Sequence, residues 1–83
     1  MQKYILPKNT KTIEKGMVGK DANYLLIPKS VQLIKKDALV FEEYRPDQVY
    51  YEGTVKEWSK IKVEEGNRLT NINCKDGMVI LAI

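Results

Sequence analysis

Histidine is absent from the 83 residues, which removes the commonest general base, a usual zinc ligand and the usual activator of a serine or cysteine nucleophile. Cysteine occurs once, as Cys74, so no disulfide can form within the chain. A reactive thiol needs a cationic or histidine neighbour. Lys75 is adjacent, but successive strand residues point to opposite faces, so Cys74 reads as a small buried or half-buried hydrophobe. No apolar run approaches the roughly 18 residues of a membrane span, and the opening MQKYILPKNTK holds too short an apolar stretch for a secretory signal. Together these absences point to a cytoplasmic protein that does not enter membranes. Serine-, glycine- or proline-rich linkers are also lacking, and no internal repeat shows at a fixed period, so residues 1–83 read as a single domain.

What is present is ordinary for a globular chain: 43% apolar and 30% charged residues, far from the disordered regime. A domain of this length hides roughly 60 to 65% of its unfolded surface in one modest core. The formal net charge of +3 is unevenly distributed. Residues 1–36 hold eight lysines against two acidic residues, whereas residues 37–83 hold six basic and nine acidic ones. Only Arg45 and Arg68 offer the forked guanidinium used for bases and phosphates, so the charge is weak support for nucleic-acid binding.

Residues 48–63, QVYYEGTVKEWSKIKV, look like the structural centre. Val49, Tyr51, Gly53 and Val55 alternate with Tyr50, Glu52, Thr54 and Lys56, the period of a strand with one buried face. Beyond Trp58 the alternation resumes at Ile61 and Val63, which predicts two strands flanking a bend near Trp58 and Ser59, as a hairpin or a corner. Upstream, Tyr4, Ile5 and Leu6 form a short edge strand stopped by Pro7, and residues 24–27 form a core strand. Residues 30–44 read in two ways. Val31, Ile34, Ala38 and Phe41 fall on one helical face behind a Ser30 cap, while Val31 with Leu33 and Leu39 with Phe41 alternate as two strands around a KKDA turn. Gly66 or Asn67 suits a turn needing a positive φ. The KDG of Lys75, Asp76 and Gly77 predicts a hairpin with glycine in the left-handed position. Met78 to Ile83 is continuously apolar, as in a strand covered on both faces and packed to its end. The expected fold is therefore mainly β: a small antiparallel barrel or rolled sheet of SH3-like or OB-like kind, which closes its strand edges. A small α+β domain with one helix near 30–44 is the alternative.

Chemistry is scarce. GMVGKD, residues 16–21, invites comparison with a phosphate loop but lacks the full glycine pattern and the Lys-Ser/Thr pair, so nucleotide binding is not expected. Asp21, Asp37, Asp47 and Asp76 sit in turns, where carboxylates bond nearby backbone. The adjacent pairs Glu42–Glu43 and Glu64–Glu65 would diverge in a strand and form no two-carboxylate site. No enzyme activity, cofactor or metal is expected.

Aromatic residues are the better material, since tyrosine and tryptophan anchor protein interfaces. The sequence suggests a non-catalytic protein-interaction module, an accessory, inhibitor or adaptor protein. Its surface around Tyr50, Glu52, Lys56 and Trp58 docks a protein partner, its own copy included as a homo-oligomer. One alternative is a β-barrel nucleic-acid binder using Lys11, Lys15, Lys20, Lys29, Lys35 and Lys36 as a basic surface with tyrosines for stacking. A structural subunit of a larger assembly shares the physics of the first reading.

Overall fold

A computed structural model describes residues 2–81 as two sheets wound into a β-solenoid of about three turns. The first turn contributes β1 (Gln2–Ile5) and β2 (Thr12–Ile13), and the second β3 (Ala22–Ile27) and β4 (Leu33–Ile34). The third contributes β5 (Val49–Tyr51), a one-turn helix α1 (Val55–Trp58) and β6 (Lys62–Val63). A hairpin of β7 (Asn71–Cys74) and β8 (Gly77–Ile80) completes the chain. One sheet runs β1-β3-β5-β7-β8, parallel except for the last pair, and the other runs β2-β4-β6, parallel throughout.

Both folds expected from sequence are thereby corrected. The chain is not a closed antiparallel barrel, because from β1 to β7 consecutive strands enter different sheets and equivalent strands of successive turns pair in parallel. Nor does 30–44 hold a helix: Leu33 and Ile34 form β4, and the rest is irregular connection, with a turn at Lys36–Asp37, that still buries Val31, Ala38, Leu39 and Phe41. Of the two arrangements expected for residues 48–63, the corner forms and the hairpin does not, since β5 and β6 lie in separate sheets with α1 between them. Thr54 starts α1 with a capping box: its hydroxyl accepts from the Glu57 N–H, and the Glu57 carboxylate accepts from the Thr54 N–H. The backbone bond to Thr54 lowers the Glu57 pKa.

A repeat exists, but its period varies. Tyr4 pairs with Leu25, Leu25 with Val49 and Tyr50 with Asn73, separations of 21, 24 and 23 residues, while Leu33 pairs with Lys62 across 29. The corners keep the register that the lengths lose. Three residues beyond Ile13, Ile34 and Val63, which share one register across the smaller sheet, stand Gly16, Asp37 and Gly66, all with positive φ (95°, 56° and 84°). Each turn thus leaves the smaller sheet through the same left-handed corner, a conformation that glycine enters without steric cost and aspartate tolerates. Hydrogen bonds stack the corners, from the Lys35 N–H to the Ile13 carbonyl at 3.0 Å and from the Glu64 N–H to the Ile34 carbonyl at 2.9 Å.

The core lies between the sheets. Ile13 and Ile34 of the smaller sheet face Leu25, Ile27, Val49, Tyr51 and Ile72 of the larger one, and the connections add Val18, Leu39, Phe41 and Leu69. Trp58, from α1, packs edge-on to Tyr51 with ring centroids 5.4 Å apart. Gln48 is the buried polar residue of this interior; its carbonyl oxygen accepts from the Arg45 N–H at 2.8 Å and its amide donates to the Ala22 carbonyl. The expected hairpin forms, but Gly77 lies within β8 and its φ is not positive. That strand is an edge and is not covered on both faces: Met78 and Ile80 are 47% and 74% exposed. The expected packing of Ile83 falls outside the described residues.

Candidate functional site

Pairing register fixes which side chains share a face. Leu25 with Val49, and Ile27 with Tyr51, point inward, so their alternates point out. Following the pairs across the large sheet gives one outward row: Ile5, Leu26, Tyr50, Asn73 and Met78, one residue from each strand. Lys3 beside Tyr24, and Asn71 beside Ile80, flank it. Four inter-strand spacings make the row about 19 Å long.

Several contacts preorganise this surface. Tyr24 and Tyr50 stack at a tilt of 33° with centroids 5.3 Å apart, and the Lys3 ammonium sits 5.2 Å from the Tyr24 ring centre. The Asn73 amide donates to the carbonyls of Pro46 and Val49 at 2.8 and 3.0 Å, which holds the middle of the row. Ile5 is 62% exposed. A mostly parallel sheet that keeps one face open is unusual, because helices ordinarily cover both faces of such sheets. In the solenoid the second sheet covers the inner face only.

The four residues singled out from sequence fall in different settings. Tyr50 lies at the centre of the row and is half-buried by its neighbours. Glu52 is exposed beyond the end of β5, where it lines an opening together with Lys8, Lys29, Ser30 and Glu57. Lys56 is exposed on α1, and Trp58 is buried at 5% exposure, filling core and not surface. The six lysines divide likewise. Lys15 and Lys20 line a cleft with Arg68, Lys29 lines the opening beside Glu52, and Lys11 precedes β2, exposed. Lys35 and Lys36 form exposed ion pairs with Glu14 at 3.7 Å and Glu65 at 3.5 Å.

Ile5, Leu26, Met78 and Ile80 were not legible as a surface from sequence. Their apolar character reads as core, and only the pairing of β1, β3 and β8 sets them on the open side. Cys74 is half-buried, with its thiol pKa raised by burial and then by the Asp76 charge, which disfavours the nucleophilic thiolate. Among the described residues no three histidine, cysteine, aspartate or glutamate side chains converge on a possible metal position, and no helix is long and apolar enough to cross a membrane. Compared with protein-family models, curated proteins and solved structures, the chain matches none of them.

Proposed function

We propose that the protein is a non-catalytic protein-interaction module that docks a partner on the open face of its large sheet. The observation that carries this reading is the row of Ile5, Leu26, Tyr50 and Met78, extended by Ile80, on the face of the large sheet that no other layer among the described residues covers. Covering Ile5, Met78 and Ile80 would each contribute about 1 to 2 kcal/mol, and the pre-stacked tyrosines lose little entropy on binding. The partner's chemistry follows from the face: apolar side chains spaced along the row, with an acidic residue beside Lys3.

A photo-reactive phenylalanine analogue in place of Tyr50 tests this in the full chain. Crosslinks to one protein partner, abolished in Ile5→Lys/Met78→Lys, are the expected result. Crosslinking that survives the double substitution while the fold is intact would sink the reading, and so would light scattering and crosslinking that detect no association at all. Crosslinks between two copies would identify the partner as the chain itself, consistent with the homo-oligomer expected from sequence.

A further inference from the structure

Residues 16–21, unremarkable as a phosphate loop in sequence, stand beside Arg68 in the fold. Lys15, Lys20 and Arg68 line a single cleft of about 470 Å³, at the stacked corners that bear Gly16, Asp37 and Gly66. The volume falls within the range of small-molecule sites. All three cations are exposed, and none takes part in the ion pairs formed among the described residues, which use Lys35, Lys36 and Arg45 instead. Asp37 is the one carboxylate lining the cleft. Glu14 and Glu65, the acidic neighbours of Lys15 and Gly66 in sequence, are drawn to Lys35 and Lys36. The cleft walls thus carry three positive charges and one negative. Val18, Ala38 and Val40 supply an apolar wall among the charges.

We propose that this cleft binds a small phosphomonoester, with the phosphate between Lys15, Lys20 and Arg68 and an apolar or ring-bearing body against Val18 and Val40. A phosphomonoester carries a charge of about −1.5 to −2 at neutral pH, which balances the surplus of two, whereas a carboxylate or sulfonate carries one. The Arg68 guanidinium supplies the forked donor pair that matches phosphate oxygens, and the lysines add charge from the first turn. Corners at Gly16 and Gly66 contribute wall without side chains that would fill the space. The site lies apart from the open row, so it does not depend on the docking proposal.

The test titrates the ¹⁵N-labelled full chain with phenyl phosphate, inorganic phosphate and benzenesulfonate at constant ionic strength. Expected are shifts centred on the amides of Gly16, Gly19, Lys20, Gly66 and Arg68, with phenyl phosphate binding at least about fivefold more tightly than either other anion. Arg68→Gln should weaken phenyl phosphate about tenfold, and Lys35→Gln/Lys36→Gln less than about twofold. Lys15→Gln/Lys20→Gln provides a second reading should Arg68→Gln alter the amide spectrum without ligand, and it should weaken binding comparably. Shifts spread over all lysine-bearing segments, equal losses in the Lys35/Lys36 variant, or benzenesulfonate binding as tightly as phenyl phosphate would each overturn the assignment.

Discussion

The Tyr44 hydroxyl donates to the carbonyl of Asn71 at 2.6 Å and accepts from the N–H of the same residue at 3.2 Å. One phenol therefore fastens the long connection after β4 to the start of β7, so that the hairpin seats on the third turn. Tyr44→Phe keeps the edge-on contact with Phe41 and strands both backbone groups of Asn71. A loss of about 1 to 3 kcal/mol in urea unfolding at pH 7 is expected, against an unchanged stability if water replaces the hydroxyl fully.

The same residue predicts alkaline sensitivity. Burial raises the pKa of Tyr44 against the lowering pull of its bonds to Asn71 and Thr70, and burial followed by the Glu57 charge raises that of Tyr51. Cys74 is raised as well. For all three the neutral form is favoured in the folded chain. Their contribution is complete below the ordinary values of 9.0 for the thiol and 10.0 for the phenols, and it is lost as pH rises through the higher folded values. Thermal melts from pH 7 to 11 should show the midpoint falling above pH 9, and Tyr44→Phe should flatten that fall. An equally steep fall in the variant would assign the effect elsewhere.

Asn67 should be a stability determinant out of proportion to its size. Its oxygen accepts from the Leu39 N–H at 2.7 Å, and its amide donates to the carbonyls of Lys35 and Glu64 at 2.9 and 2.8 Å. It thus joins the corners of two turns. Asn67→Ala should lose about 2 to 3 kcal/mol in chemical denaturation. Asn67→Asp keeps the acceptor but removes both donors, and should not restore the loss.

The stacked corners rank two glycines. An added methyl at Gly16 meets open space, so Gly16→Ala should show the left-handed strain alone, about 1 kcal/mol. At Gly66 the same methyl runs into the Asp37 carboxylate, and Gly66→Ala should lose clearly more. Asp37→Gly relieves its own positive φ and clears that space. The double variant Gly66→Ala/Asp37→Gly should recover most of the difference in a denaturation cycle; strict additivity would show that the two corners do not touch.

Gly53 and Trp58 meet at Tyr51. A methyl at Gly53 would lie 2.5 and 2.8 Å from the Cε2 and Cζ of Tyr51 and 2.9 Å from its hydroxyl oxygen, on the ring against which Trp58 packs. Gly53→Ala should lose about 1 to 3 kcal/mol by overpacking and Trp58→Ala about 3 to 5 by cavity formation. Since Trp58 is the sole tryptophan, its fluorescence reports the first directly, and a red shift without unfolding would show the ring pushed toward water.

Local chemistry was legible in particular residues. Alternation in residues 49–51 placed Val49 and Tyr51 inside and Tyr50 out, as the structure does, and the turn residues Gly66 and Lys75–Asp76 mark real reversals. Val55 broke the pattern, 36% exposed on α1, because the capping box of Thr54 and Glu57 outweighed a β-branched alternation only one residue longer. In the cleft, Lys15 and Lys20 were visible as charge, whereas Arg68 lies 48 residues beyond Lys20 and joins them only through the stacking of the third turn on the first two.

The sequence by itself determined that the chain is β-rich, that Val49 and Tyr51 are buried while Tyr50 faces out, that the backbone turns at Gly66 and Lys75–Asp76, and that histidine and paired-thiol chemistry are excluded. Tertiary structure alone decided that the strands stack in parallel turns, that Ile5, Leu26, Tyr50 and Met78 form a row, and that three cations share a cleft. The reason is physical: a period of two fixes the buried face but is the same for parallel and antiparallel neighbours. Direction and register come from the connections, and these range from 21 to 29 residues per turn, which hides the repeat until the corners are seen stacked.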